Sequence, residues 1–184
     1  LPRGGKHMVL AVLALIAIVV LWAVWTFNRL IADRNQMRAA WSDIDVQLLR
    51  RHDLTPQLVT AVKAYADHER TTLATITELR TRTREASALA ERAHLEDQLG
   101  TQIERLLALQ ESYPDLKSNQ NFLQLQRDLV AIEEHLQYAR RYNNGAVRQL
   151  NTRIEHFREL IVARLAGFQR GEFFEAEAQQ RSAP

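Results

Sequence analysis

The sequence predicts an all-α protein: an N-terminal transmembrane helix followed by an elongated antiparallel four-helix-bundle-like domain. Three observations carry this. Met8 to Phe27 is an unbroken apolar run. Beyond it, apolar side chains recur at three- and four-residue steps, the mark of one buried helix face. Glycine (6) and proline (4) are scarce in the 184 residues, which suits a few long helices better than a many-turned sheet protein.

The apolar run reads MVLAVLALIAIVVLWAVWTF and holds no charge, glycine or proline. As a helix it spans about 30 Å, the thickness of a hydrocarbon core. Trp22, Trp25 and Phe27 cluster near its C-terminal end, where an aromatic belt sits. A cleaved signal peptide is the competing reading. Its apolar region would be unusually long, and Trp-Ala-Val-Trp-Thr-Phe is a poor small-residue cleavage site. Residues 1–7 (LPRGGKH) read as an added tag or a short N-terminal tail, with Met8 as the native start. The expected organisation is therefore 1–7 tail, 8–27 membrane helix and 28–184 one helical domain. Arg29, Arg34 and Arg38 follow the run, and the positive-inside rule then puts the bulk of the chain in the cytoplasm.

Asn28 continues out of the membrane without a breaker. Met37, Trp41, Ile44 and Leu48 define one helical face, Leu30 precedes them, and the intervening arginines and aspartates read as solvated. Trp41 reads as a packing residue. Pro56 interrupts next. Either Asp53 or Thr55 caps a new helix with Pro56 in its first turn, or Pro56 kinks one long helix. Leu58, Val62, Tyr65, Glu69, Leu73, Ile76 and Leu79 carry the stripe on. The region from Thr81 to Ala93 either continues that helix with a thin core face or holds a break.

Leu95, Leu99, Ile103, Leu106 and Leu109 form another stripe, with Gly100 inside it at a cost of about 1 kcal/mol relative to alanine. This helix ends at Tyr113-Pro114-Asp115, Leu116 to Ser118 read as a connector, and Ser118 or Asn119 caps the next helix. The longest stripe runs Phe122, Leu125, Leu129, Ile132, Leu136, Ala139, Asn143, Ala146, Leu150, Ile154 and Phe157, with Asn143 as a buried polar register point. Arg158 to Gly167 and Glu172 to Gln180 read as short terminal helices. Between them Gly167, Phe168, Gly171, Phe173 and Phe174 form a corner that caps one end of a core. Strict heptads are not kept, which argues against a simple two-stranded coiled coil.

Composition narrows the function classes. With 46% apolar and 25% charged residues the chain is not compositionally disordered. The absence of cysteine excludes disulfides, thiolate metal sites, cysteine nucleophiles and covalent haem attachment. Of 24 basic residues, Arg3 and Lys6 precede the apolar run, leaving 22 against 22 acidic ones in residues 28–184. That balanced part has no net field to gather nucleic acid.

Glu91-Arg92-Ala93-His94 is one Glu-x-x-His unit, but a di-metal bundle needs two, and His52, His68, His135 and His156 have no glutamate three residues before them. Glu91 and His94 thus read as a solvated pair. His68-Glu69 with Tyr65 reads as a buried histidine–carboxylate hydrogen bond, and His52-Asp53 as part of a turn. Arg50-Arg51 and Arg140-Arg141 make a small basic patch if their helices pack side by side. There is no HExxH, phosphate-binding glycine loop or GxSxG. No catalytic, cofactor-binding or metal residue is expected, and no cofactor.

Three stretches carry a family likeness: AAWSDIDVQLLRRHDLTPQLVTAVKAYADHE (Ala39 to Glu69), ESYPDLKSNQNFLQLQRDL (Glu111 to Leu129) and ARRYNNGAVRQLNTRIEHFRELIVARLAGFQRGEFFEAEA (Ala139 to Ala178). With the N-terminal anchor, the chain strongly resembles the LemA family of bacterial membrane proteins. The resemblance implies one membrane pass, a mostly helical domain on the cytoplasmic side and no enzymatic activity. It also implies an accessory or scaffolding role, with one branch tied to building the magnetosome. Relatives often have proline shortly after the phenylalanine matched by Phe157, where this chain has Arg158, and carry a further short tail near Pro184.

The expected function is a non-catalytic scaffold or adaptor anchored in a bacterial membrane. Its expected partners are the lipid bilayer, other membrane or membrane-proximal proteins and, through the anchor or a bundle face, a second copy. Nucleic acid is not among them. The alternative is a membrane-shaping or organelle-assembly factor of magnetosome type in an organelle membrane.

Overall fold

A computed structural model describes residues 3–174. Among these the regular elements are all helical: α1 (Arg3–Lys63), α2 (Arg70–Glu85), α3 (Leu89–Ala108), α4 (Pro114–Ser118), α5 (Gln120–Glu155) and α6 (Phe157–Leu165), with 3-10 turns at Asp67–Glu69 and Leu109–Glu111. They contribute to two compact units. The first takes residues up to Ala39 and Gly145–Gly171, the second Ala40–Asn144 and the described residues from Glu172 on.

In the first unit the apolar run is helical throughout, and every residue from Met8 to Leu21 is exposed. It is the one helix among the described residues that is long and apolar enough to cross a membrane, consistent with a single-pass anchor. Past Phe27 the helix meets protein. Leu30 packs with Leu150, Ile154 and Ala163, flanked by Met37, Val162 and Phe168. Asp33 is buried here, paired with Arg153 and accepting a 2.7 Å hydrogen bond from Gln149. It does not lie on a solvated face as the charge pattern predicts.

Extended backbone at His156 separates α5 from α6 (φ −61°, ψ 125°). Phe157, the last member of the predicted α5 stripe, therefore starts α6 and is 82% exposed. Gly167 terminates α6 in the left-handed region (φ 68°), and the Phe168 N–H bonds the Ala163 oxygen at 2.9 Å. Asn151 then clamps Gly171: its Oδ1 accepts from the Gly171 N–H at 2.8 Å and its Nδ2 donates to the Gly171 oxygen at 3.0 Å. A Cβ on Gly171 would lie 2.5 Å from the Met37 Sδ, so any larger residue there would make the Met37 side chain move.

In the second unit α1 continues past Pro56 to Lys63. Neither Asp53 nor Thr55 caps a new helix, and the one-long-helix alternative holds. The stripe from Leu58 to Leu79 is not one helix: it turns at residues 64–69 and resumes in α2. A second turn at Ala86-Ser87-Ala88, made without glycine or proline, resolves the Thr81–Ala93 region as a break. The expected connector at Leu116 holds the one-turn helix α4, opened by Pro114, and Leu116 itself is fully buried. Asn119 caps α5, its Oδ1 accepting from the Phe122 N–H at 3.0 Å. Its Nδ2 reaches the Tyr65 hydroxyl at 2.9 Å.

The larger core of this unit gathers Leu58, Val62, Leu73, Ile76, Leu99, Ile103, Leu106, Leu116, Phe122 and Leu129 with their neighbours. A smaller cluster joins Ile44, Leu48, Ala93, Leu136, Ala139 and Phe174, with Trp41 edge-on to Phe174 at 5.4 Å between ring centroids. Asn144 clamps Phe174 much as Asn151 clamps Gly171 in the first unit, accepting at 3.0 Å and donating at 3.4 Å. Asn143 is buried, as its stripe position predicts. Of the predicted terminal helix from Glu172 to Gln180, residues 172–174 are not helical and the remainder lies outside the described residues.

Candidate functional site

The steps of the inward face of α1 after Ile44 and Leu48 reach Arg51, His52 and Thr55 before returning to Leu58 and Val62. All three polar side chains are buried. Glu96 occupies an inward position of α3 between Leu95 and Leu99 and is 1% exposed. The helical period that buries leucines therefore also buries a cation, an imidazole and an anion, and each must find partners there.

They find one another. Glu96 Oε1 is 2.7 Å from His52 Nε2, and Glu96 Oε2 forms an ion pair with Arg51 Nη2. That same Nη2 also donates to the Glu96 main-chain oxygen at 3.0 Å. Arg51 Nη1 reaches across to Glu133 Oε2 on α5 at 3.2 Å. Three helices are thus tied at one point. Gly100 lies against this crossing, where a Cβ would stand a tight 3.1 Å from Arg51 Nη1. Thr55 donates to the Arg51 oxygen at 2.6 Å. Thr83 Oγ1 lies 3.4 Å from His52 Nε2 and donates to the Arg80 oxygen at 2.9 Å.

Pro56 has no N–H for the His52 carbonyl four residues earlier. Arg80 supplies the donor instead, Nε to oxygen at 2.9 Å. Burial by itself would raise the Glu96 carboxyl pKa. The hydrogen bond with His52 and the charge of Arg51 outweigh it and hold the carboxyl below its ordinary range. A pocket of about 440 Å³ opens beside the cluster, lined among others by Asp45, His52, Arg80, Arg84, Arg92 and Glu96.

Other polar groups singled out from sequence lie elsewhere. His68 and Tyr65 are exposed and Glu69 half-buried, so the predicted buried histidine–carboxylate bond is not at His68-Glu69. It is His52–Glu96, inside a helix and not in a turn. Glu91 and His94 are both exposed, and His94 Nε2 lies 2.9 Å from Gln98 Nε2. The patch conditional on Arg50-Arg51 and Arg140-Arg141 lying side by side does not gather all four arginines. Arg51 is buried, and Arg140 is bound to Asp97 with its guanidinium 4.9 Å from the centroid of Phe174. Among the described residues no group of three or more histidine, aspartate or glutamate side chains has the arrangement to hold a metal ion.

A model of the LemA family matches residues 40–184. The chain belongs to the LemA family. No curated protein matches it. The LemA match opens at Ala40, just before the inward face that carries Arg51 and His52, and covers Glu96, Glu133 and every partner named above. The ionic cluster therefore belongs to the LemA region proper, while the membrane helix at 8–27 precedes that region.

Proposed function

We propose that this LemA-family chain is a non-catalytic membrane-anchored scaffold or adaptor. Its single-pass helix ties it to a bacterial membrane, with the bulk of the chain in the cytoplasm. Residues 28–184 act as one domain, built around an antiparallel four-helix bundle of α1, α2, α3 and α5. The partners are other membrane or membrane-proximal proteins.

The observation that carries this reading is the buried ionic cluster, in which the ion-pairing atoms are all partnered and Arg51 Nε is left buried without a partner. Both oxygens of Glu96 and both terminal nitrogens of Arg51 are committed to other protein groups. A general base or a substrate-binding cation needs a free lone pair or donor aimed into a cavity. These groups instead lock three helices in register, a use for which buried ion pairs are well suited. Rigid helices with exposed side chains such as Leu49 (64%) and Tyr138 (65%) then offer surface to a partner.

Photo-crosslinking residues placed at Leu49 and Tyr138 in intact membranes test it. Discrete adducts with one other polypeptide at either position support the reading. Absence of adducts at both positions, with the protein present at normal levels in the membrane, contradicts it.

A further inference from the structure

We infer that α6 is a second membrane contact: a short helix whose exposed apolar stripe lies in the headgroup layer of the bilayer beside the spanning helix. The inference rests on the reading that residues 8–27 cross the bilayer. Phe157, Ile161 and Leu165 are 82%, 56% and 86% exposed, an unusual cost for three large apolar side chains on a nine-residue helix. Their spacing of four places them on one stripe about 80° wide.

The opposite side of α6 is the one that packs. Ala163, about 160° from the centre of the stripe, is fully buried against Leu30, Leu150 and Ile154. Arg158 and Arg164 are exposed and fall about 20° beyond either edge of the stripe. The acid of α6, Glu159, lies away from it and within 3.9 Å of Arg153. An apolar stripe with arginines along both borders fits a surface of acyl chains beneath phosphates, because arginine stems lie on apolar surface while their heads reach the phosphate level.

Position identifies the occupant. Phe168, just past α6, stands edge-on to Phe27, the last residue of the spanning run, at 6.0 Å between ring centroids. Leu30, against which α6 packs, lies about 4.5 Å along the helix axis beyond Phe27. The polar layer on each side of a bilayer is about 5–8 Å thick, and interfacial helices sink about 5–10 Å into it. The exposed stripe is therefore at the depth where lipid, rather than water, is its neighbour.

The chain has no cysteine, so single nitroxide labels test this in the full-length protein. Phe157→Cys, Ile161→Cys, Leu165→Cys and Leu15→Cys are each labelled and reconstituted in vesicles of phosphatidylcholine with phosphatidylglycerol. The expected result is nickel-chelate access at all three α6 positions clearly below that of a water-exposed site, with an oxygen-to-nickel collision ratio between that of such a site and that of Leu15. Nickel access at α6 equal to that of a water-exposed site, with Leu15 still protected, overturns the inference and leaves the span intact. Nickel access at Leu15 overturns the span, and the inference with it. Dipolar broadening at α6 that disappears on dilution with unlabelled protein identifies a second copy as the occupant and also overturns it.

Discussion

The Arg80 guanidinium donates to the main-chain oxygen of His52 at 2.9 Å, and that oxygen is the one Pro56 leaves without a helical N–H. A proline inside a helix normally costs about 3 kcal/mol or more, part of it the lost i to i−4 bond. Here a neighbouring helix replaces the donor with a charged one, and α1 continues for two more turns.

The relationship predicts a coupling. Arg80→Met in the Pro56 chain is expected to cost about 1.5–3 kcal/mol, the range for a hydrogen bond from a charged donor. In a Pro56→Ala background the amide of residue 56 takes over the His52 oxygen, and the same substitution is expected to cost about 1 kcal/mol less. Urea unfolding of the four detergent-solubilised chains completes the double-mutant cycle. Equal costs in both backgrounds would remove the compensation.

Glu96→Gln removes the anion while keeping the shape. It leaves Arg51 buried with Glu133 alone, and a loss of about 3–5 kcal/mol is expected near neutral pH. The pH dependence has a definite sign. The Glu96 carboxyl titrates below its unfolded range in the folded protein, so its contribution is complete above the unfolded carboxyl pKa of about 4.3 and is lost as pH falls through the folded value. The acid limb of a stability–pH profile is expected to be flatter in Glu96→Gln than in the parent.

Two glycines inside helices should answer the same substitution differently. Gly145 has open space around it, so Gly145→Ala is expected to stabilise by about 0.5–1 kcal/mol through helix propensity. At Gly100 the added methyl presses on the guanidinium that Glu96 and Glu133 hold, so Gly100→Ala is expected to gain less or to destabilise. Thermal unfolding of both variants separates them.

Asn151 makes two hydrogen bonds to Gly171. Asn151→Ala is expected to cost about 1–3 kcal/mol and to loosen the chain around Arg170. Faster tryptic cleavage after Arg170, with cleavage elsewhere unchanged, is the expected readout.

These residues also mark how far the sequence can be read. Apolar periodicity locates the spanning run and the inward faces of α3 and α5, and capping chemistry narrows the start of α5 to Ser118 or Asn119, because each is a local signal. It misassigns Arg51, Asp33 and His52, since a charged residue reads as solvated unless its partner is visible, and Glu96 lies 45 residues from Arg51. The passage through Pro56 is illegible for the same reason: its substitute donor is on another helix. The turn at Ala86-Ser87-Ala88 carries no breaker residue. The asparagine clamps have no signature beyond two asparagines seven residues apart on α5.

Membrane attachment depends on residues 8–27 staying in the bilayer as the start of the helix that runs on to Lys63. Alkaline carbonate extraction of native membranes, with mass spectrometry of the recovered chain, measures this. The protein is expected to stay in the pellet and still to carry residues 8–27. Recovery in the supernatant of a chain that begins after Phe27 would refute the anchor and everything built on it.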